Sequence, residues 1–215
     1  MEHSESHGFM VTPPAGAGPG VLVLHAWWGL NETIKTICRR LAEHGFVAYA
    51  PDLYHGKVAK TVAEAEVLGA QIDANHQQAA AEVGAAARFV SERAGVGVLS
   101  VVALSLGGYY ALKLADAMPE HIRKVVLFYA TDGGFGGAFD HSRADYLGHF
   151  AEHDEYEPPA NADRLAGTLR NAGRTVTFYQ YPGARHWFFE PDVTAAYDAA
   201  AAYLAWLRTL AFLAA

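Results

Sequence analysis

Apolar residues fall along the chain in short runs separated by amphipathic stretches. "VLVLHA" (21–26), "FVAYAPD" (46–52), "VLSVVALS" (98–105) and "KVVLFYA" (124–130) predict strands, and "DYLGHFAE" (145–152) and "RTVTFYQY" (174–181) predict two more. Most of these runs alternate little between apolar and polar positions, as expected of strands covered on both faces in a parallel sheet. Between them lie helical patterns with their punctuation. Asn31 stands where an N-cap is needed before "ETIKTICRRLAEH", and Gly45 where a left-handed residue can end that helix. The segment 61–95, rich in Ala, Glu and Gln, predicts two helices meeting near Asp73–Asn75. Helices are also expected over "GGYYALKLADAMP", "PPANADRLAGTLRNAG" and "VTAAYDAAAAYLAWLRTLAFLAA". This alternation predicts an α/β fold, a doubly wound and mostly parallel sheet with helices on both faces, in a single domain spanning 1–215. Ligands of such sheets bind beyond the carboxyl ends of the strands.

Composition narrows the classes of function. The 215 residues suffice for a core without disulfides or metals, and the net charge of −7 argues against a nucleic-acid partner. Arg39-Arg40 reads as the solvated side of a helix. The single cysteine, Cys38, excludes an internal disulfide and falls on the apolar face with Ile34 and Leu41, so it reads as a buried structural thiol. "MEHSESHGFMV" lacks the cations and apolar run of a signal peptide, and His3 and His7 fall in a terminus expected to fray. No stretch approaches the ~18 apolar residues of a membrane span. The expectation is a soluble, cytoplasmic protein with no membrane partner. "TDGGFGGAF" (131–139) reads as a loop on the active-site side rather than a phosphate cradle, since no Lys-Ser/Thr pair follows.

The stretch "VVALSLGGYYAL" (101–112) carries the chemistry. A buried strand runs into a helix through Ser105, as in a nucleophile elbow, where the backbone is strained and neighbouring side chains must be small. Ala103 and Gly107 stand two residues either side of the serine, and Gly108 follows. A serine nucleophile needs a base, and the base an orienting acid. In this kind of sheet they follow in the order Ser, acid, His, each just past a strand end. Asp154, directly after "YLGHFAEH", and His186, after "VTFYQYPGAR", meet those conditions. Asp132, after the preceding strand, is the rival acid, while Asp52 in "APDLY" reads as a structural loop residue. "HFAEH" (149–153) has the His-x-x-Glu-His spacing of an inverted zinc site. Two imidazoles four residues apart share a metal on a helix, but on a strand they lie ~13 Å apart. Gly148 and the following prolines favour a strand and turn, so no metal is expected. The N–H of Leu106 is one oxyanion donor, and a second should come from the loop "LHAWWGLNETIK".

"HAWWGLNETI", "RRLAEHGFVAYAPDLYHG", "SLGGYYAL", "FAEHD" and "GARHWF" resemble, in order and spacing, segments of the dienelactone hydrolase family of α/β-hydrolases. The resemblance covers nearly the whole chain. It implies an α/β-hydrolase fold, a Ser105–Asp154–His186 triad, the N–H of Trp27 as second oxyanion donor, and hydrolysis of esters or lactones without a cofactor. The family's best-known members use a cysteine held by a glutamate just before the oxyanion donor. Here Ser105 and Ala26 occupy those places, and the two changes agree with each other. Family lactonases also grip their anionic substrate with arginines. Four residues after His186 this chain has Glu190, and the region Val62 to Glu66 has no arginine.

An anionic dienelactone would therefore meet a carboxylate where the family presents a cation. Trp28, Tyr54, Tyr109, Trp187 and Phe188, with Ala26 and Glu190, are the expected pocket residues, and several aromatic rings turned inward would make the pocket apolar. The expected partner is thus a small uncharged ester or lactone. An acyltransferase or perhydrolase would share the same triad, and a non-catalytic binding protein on this scaffold is a further alternative. The last helix, with Trp206, Leu207 and Leu210, is apolar almost all round and suits a core or a dimer seam, which leaves monomer and homodimer open.

Overall fold

Short buried strands and capped helices alternate along the chain in a computed structural model, which describes residues 2–5, 8–95, 97–133 and 136–215. The strand order is β1-β2-β4-β3-β5-β6-β7-β8. Here β1 is Glu2–Glu5, β2 Gly8–Val11, β3 Gly20–Leu24, β4 Val47–Pro51, β5 Leu99–Leu104, β6 Ile122–Phe128, β7 Asp145–His153 and β8 Val176–Arg185. The helices are α1 (Glu32–Glu43), α2 (Val62–Ala74), α3 (His76–Ala94), α4 (Leu106–Ala117), α5 (Pro159–Asn171) and α6 (Ala199–Ala214). The sheet is mostly parallel: β3 pairs parallel with β4, and β6, β7 and β8 run parallel in turn. Two compact units divide within β5, Met1–Val102 and Ala103–Ala215.

In the first unit, Val21, Leu22, Val23 and Leu24 of β3 are fully enclosed, which suits a continuous apolar run covered on both faces. Helix α1 starts where Asn31 accepts the Ile34 N–H at 3.1 Å, and buries Ile34, Ile37, Cys38 and Leu41 on one stripe. Burial pushes the Cys38 thiol well up, so it stays protonated. Thr61 caps α2, and the break between α2 and α3 falls at Asn75. The N-terminal segment pairs rather than frays: β1 and β2 form an antiparallel addition to β4, with His3 opposite Met10 and Phe9 opposite Ala50. His7 lies outside the described residues.

In the second unit, α5 packs on β7 and β8, and α6 on β7. "HFAEH" lies on β7, a strand. Its His149 is a core residue, with Nδ1 at 2.9 Å from the Tyr181 hydroxyl and Nε2 at 3.0 Å from Thr209 Oγ1. Burial lowers its pKa to about 3, so the ring is neutral. His153 is exposed beside Glu152. Helix α6 begins at Ala199, six residues later than its composition suggests, because Asp198 accepts the N–H groups of Ala200 and Ala201 and fixes the start. It buries Trp206 and Thr209 but exposes Tyr203, Leu204 and Leu207. Among the described residues, no helix is long and apolar enough to cross a membrane.

Helix α4 approaches β6 closely at one point. A Cβ on Gly108 would stand 2.3 Å from the Cβ of Ala130, just beyond β6. Gly84, on α3, meets only the flexible end of Arg88 at 3.7 Å. Gly108→Ala should therefore destabilise by about 1–3 kcal/mol, overpacking outweighing the better helix propensity. Gly84→Ala should stabilise by roughly 0.5–1 kcal/mol. Urea unfolding of both variants checks the opposite signs.

Candidate active site

The apolar strand β5 ends at Leu104 and α4 starts at Leu106, so Ser105 alone makes the turn between them. Its backbone has φ 46° and ψ −115°, a region that side chains rarely adopt. Two bonds hold it there: its N–H donates to the Phe128 carbonyl at the end of β6 (3.0 Å), and its own carbonyl accepts the Gly108 N–H (2.8 Å). As the first residue of the helix, Leu106 has an N–H with no acceptor within α4.

Ser105 Oγ lies 3.0 Å from His186 Nε2, and His186 Nδ1 lies 2.8 Å from each oxygen of Asp154. A carboxylate only accepts, so Nδ1 carries the ring proton and Nε2 offers its lone pair to the serine hydroxyl. His186 and Asp154 are both buried. Asp154 Oδ1 also accepts the N–H groups of Tyr156 (3.0 Å) and Glu157 (2.8 Å), which fixes the carboxylate across the turn after β7. Glu157 ties that turn to the residues after β6, accepting the hydroxyl of Thr131 at 2.8 Å and its N–H at 3.3 Å. The rival acid, Asp132, faces Arg164 at 3.5 Å.

Rings surround the imidazole. Tyr129, Tyr156 and Trp187 have centroids 4.8, 5.0 and 5.0 Å from that of His186. Trp187 takes a positive φ of 65° just after the histidine, and Phe188 packs between Tyr129 and Tyr181. Tyr109, one turn along α4 from the serine, accepts a hydrogen bond from Lys113 Nζ at 3.2 Å. It lines a hollow of about 210 Å³ with Lys113, Asp132 and Phe139. Of the glycine-rich segment 131–139, residues 134 and 135 lie outside the described residues.

Glu190 requires a correction. Its carboxyl is enclosed and accepts the Tyr129 hydroxyl at 2.7 Å instead of facing a substrate. Burial raises its pKa to about 8, and the same burial, with Glu190 beside it, keeps the Tyr129 phenol protonated. Spacing from His186 places Glu190 on the same loop but says nothing of which way it turns. Tyr129 escaped the sequence reading; its one signal is a polar-tipped aromatic just past a strand end.

In the first unit, Ala26, Trp27 and Trp28 form the loop after β3, with Ala26 and Trp28 buried. The Ala26 carbonyl accepts two donors, His25 Nδ1 at 2.7 Å and the Gly29 N–H at 3.2 Å. A trans peptide sets C=O and N–H on opposite sides, so this anchors the direction of the Trp27 N–H. His25 is fully enclosed, and burial pushes its pKa down. Its Nε2 accepts the Leu53 N–H at 3.3 Å, which ties this loop to the one after β4. Nothing in "LVLHA" marked His25 for that task. Tyr54 is buried with its ring 4.9 Å from His25, and Asp52 is the structural loop residue expected, accepting the N–H groups of Tyr54 and Gly56. Among the described residues, no group of three or more His, Cys, Asp or Glu side chains could hold a metal ion.

The dienelactone hydrolase family model matches residues 7–215. "Protein usf" of Aquifex pyrophilus is 30% identical over 95% of this chain and 91% of its own length. A "Putative carboxymethylenebutenolidase" of Aquifex aeolicus (strain VF5) is 29% identical over 93% of this chain and 88% of its own. Among solved structures, a "Putative Dienelactone Hydrolase" from Klebsiella pneumoniae subsp. pneumoniae MGH 78578 superposes with a TM-score of 0.84 at 26% identity, covering 100% of this chain and 97% of that one. The chain belongs to the dienelactone hydrolase family of α/β-hydrolases.

Proposed function

We propose that the chain is a serine hydrolase that cleaves small uncharged carboxylic esters or lactones through an acyl-serine. The observation that carries this reading is the relay Ser105 Oγ–His186 Nε2 at 3.0 Å and His186 Nδ1–Asp154 at 2.8 Å, set on a strained strand-to-helix turn. His186 takes the hydroxyl proton as Ser105 attacks the acyl carbon, and Asp154 holds the tautomer and stabilises the imidazolium. The negative charge moves onto the carbonyl oxygen, where the N–H of Leu106 is one donor and the family resemblance assigns the N–H of Trp27 as the other. Collapse expels the alcohol, which takes the proton back from His186. Water, deprotonated by His186, then attacks the acyl-serine, and His186 returns that proton to Ser105 Oγ as the acid leaves.

Family membership supports ester and lactone chemistry, and relatives carry the name carboxymethylenebutenolidase. The preference for uncharged substrates rests on the surroundings of the triad. Ser105, His186 and Asp154 contact aromatic rings and backbone amides, and no lysine or arginine is among their partners in the described residues.

Ser105→Ala should lose about 10³-fold or more in kcat/KM on p-nitrophenyl acetate, together with labelling by a serine-directed phosphonate. Asp154→Asn should cost at least about 10²-fold, while Asp132→Asn stays within about threefold. The reverse order for the two aspartates would move the acid to Asp132. In a lactone panel, neutral members should turn over faster than their carboxylate-bearing counterparts; equal or inverted rates would remove the substrate preference.

A further inference from the structure

Tyr129 and Glu190 form a buried pair that the chemistry above does not use. Tyr129 follows β6 directly, with φ 39°, a left-handed backbone conformation that a tyrosine adopts only at a cost. Its N–H donates to the His149 carbonyl at 2.7 Å, and the carbonyl of the residue before it, Phe128, accepts the Ser105 N–H. Its ring lies against the His186 imidazole, and its hydroxyl reaches Glu190 at 2.7 Å. Glu190 closes the turn that carries the histidine: its N–H bonds to the Trp187 carbonyl at 2.9 Å, and its carbonyl accepts the Val193 N–H at 3.0 Å. An enclosed carboxyl with one side-chain donor and a tyrosine in left-handed backbone are both costly, and they meet at one hydrogen bond beside the base.

We propose that Glu190 is a positioning residue for the hydrolysis described above, acting through Tyr129 to hold the His186 imidazole in line with Ser105 Oγ. The inference rests on the serine-hydrolase reading. Asp154 fixes the imidazole edge at Nδ1, and the Tyr129 ring limits its tilt. Glu190 keeps that ring in place while pinning the far end of the loop 186–190.

The pair works with Glu190 as a neutral acid, which its enclosure favours up to about pH 8. Ionisation would set a charge among the Tyr129 hydroxyl, Asp192 on the same turn, and Asp154, whose charge also bears on Tyr129, with His186 on the other side of that ring. No lysine or arginine is among the partners of Glu190 in the described residues. Above that pH the loop should loosen and turnover should fall.

The test compares wild type with Tyr129→Phe, Glu190→Ala and Glu190→Gln. Tyr129→Phe and Glu190→Ala should lower kcat on p-nitrophenyl acetate about 10- to 100-fold, with KM changed less than about threefold. Glu190→Gln, whose amide oxygen still accepts from Tyr129, should keep kcat within about threefold at pH 7. It should also lack the alkaline fall in rate. Two readouts need no turnover. The ¹⁵N signals of the His186 ring should shift in Tyr129→Phe and Glu190→Ala but not in Glu190→Gln. Glu190 holds its proton in the folded state up to about pH 8 but gives it up near 4.5 when unfolded. Its stabilising effect is therefore full below pH 4.5 and is lost as pH rises towards 8. The wild-type Tm should fall across that range more steeply than that of Glu190→Gln. Unchanged kcat and unchanged His186 signals in Tyr129→Phe would overturn the proposal. So would an alkaline limb that persists in Glu190→Gln, which decides the matter even if Tyr129→Phe fails to fold. A wild type that neither turns over nor labels at Ser105 would sink the hydrolase reading alone, with the ring signals and melting curves still judging the positioning role.

Discussion

A backbone hydrogen bond from the Ser105 N–H to the Phe128 carbonyl anchors the strand-to-helix turn on which the candidate site depends. With φ 46°, Ser105 sits in a conformation that costs about 1–3 kcal/mol and persists only where the surroundings over-determine it. They do so from two sides. Gly108 lets α4 close on Ala130, which a larger residue would prevent, and the end of β6 supplies the acceptor for the serine amide. The strain leaves Oγ on the outside of the bend, at hydrogen-bond distance from an imidazole, instead of folded back as a helix cap.

The end of β6 then serves as an anchor for everything that must meet the serine. Phe128 accepts the Ser105 amide, Tyr129 lies against the His186 ring and reaches its loop, and Thr131 donates to Glu157 from the turn that carries Asp154. Three residues within one four-residue stretch thus tie Ser105, His186 and Asp154 to one strand terminus. A relay of this kind tolerates little error, since a displacement of about 1 Å can cost 100-fold in rate. Fixing all three groups to one short stretch keeps their errors correlated.

Much of this was legible in the residues, and the exceptions have physical causes. Strands β3 to β7 announce themselves because both faces are largely covered and their apolar runs are nearly unbroken, while β8, at the sheet edge, buries only Tyr181 and Ala184 and shows in its β-branched and aromatic residues instead. The N-terminal pair β1–β2 did not, since "EHSE" is four polar residues whose pairing depends on its neighbour and not on its own pattern. The helix-forming composition of Val193–Tyr197 predicts a longer final helix than Ala199–Ala214. In the structure these residues form turns on Glu190 and Phe188 before Asp198 caps the helix. Chain order and strand ends pointed to Ser105, Asp154 and His186 as a group, and the structure brings them together. Burial and direction were not legible: the enclosed Glu190, the tyrosine that reaches it from 61 residues away, and His25 behind the Trp27 peptide all depend on packing that no local pattern encodes.

Two buried carboxyls in this unit receive opposite treatment, and the contrast explains how both can be present. Asp154 is furnished with three N–H donors, two from the backbone and one from His186, which fix the direction of its carboxyl. Among the described residues Glu190 meets one hydroxyl and no cation, so burial dominates and the proton stays on up to about pH 8. In the proposed hydrolysis, a second charge so close to the first would compete for the imidazolium that forms as the serine attacks. It would also have to be desolvated with nothing to offset the cost. Retaining Glu190 as an acid avoids both penalties while still giving Tyr129 its acceptor. The two carboxyls thus differ in their surroundings: three N–H donors aim Asp154 at the imidazole, and enclosure makes Glu190 a neutral strut.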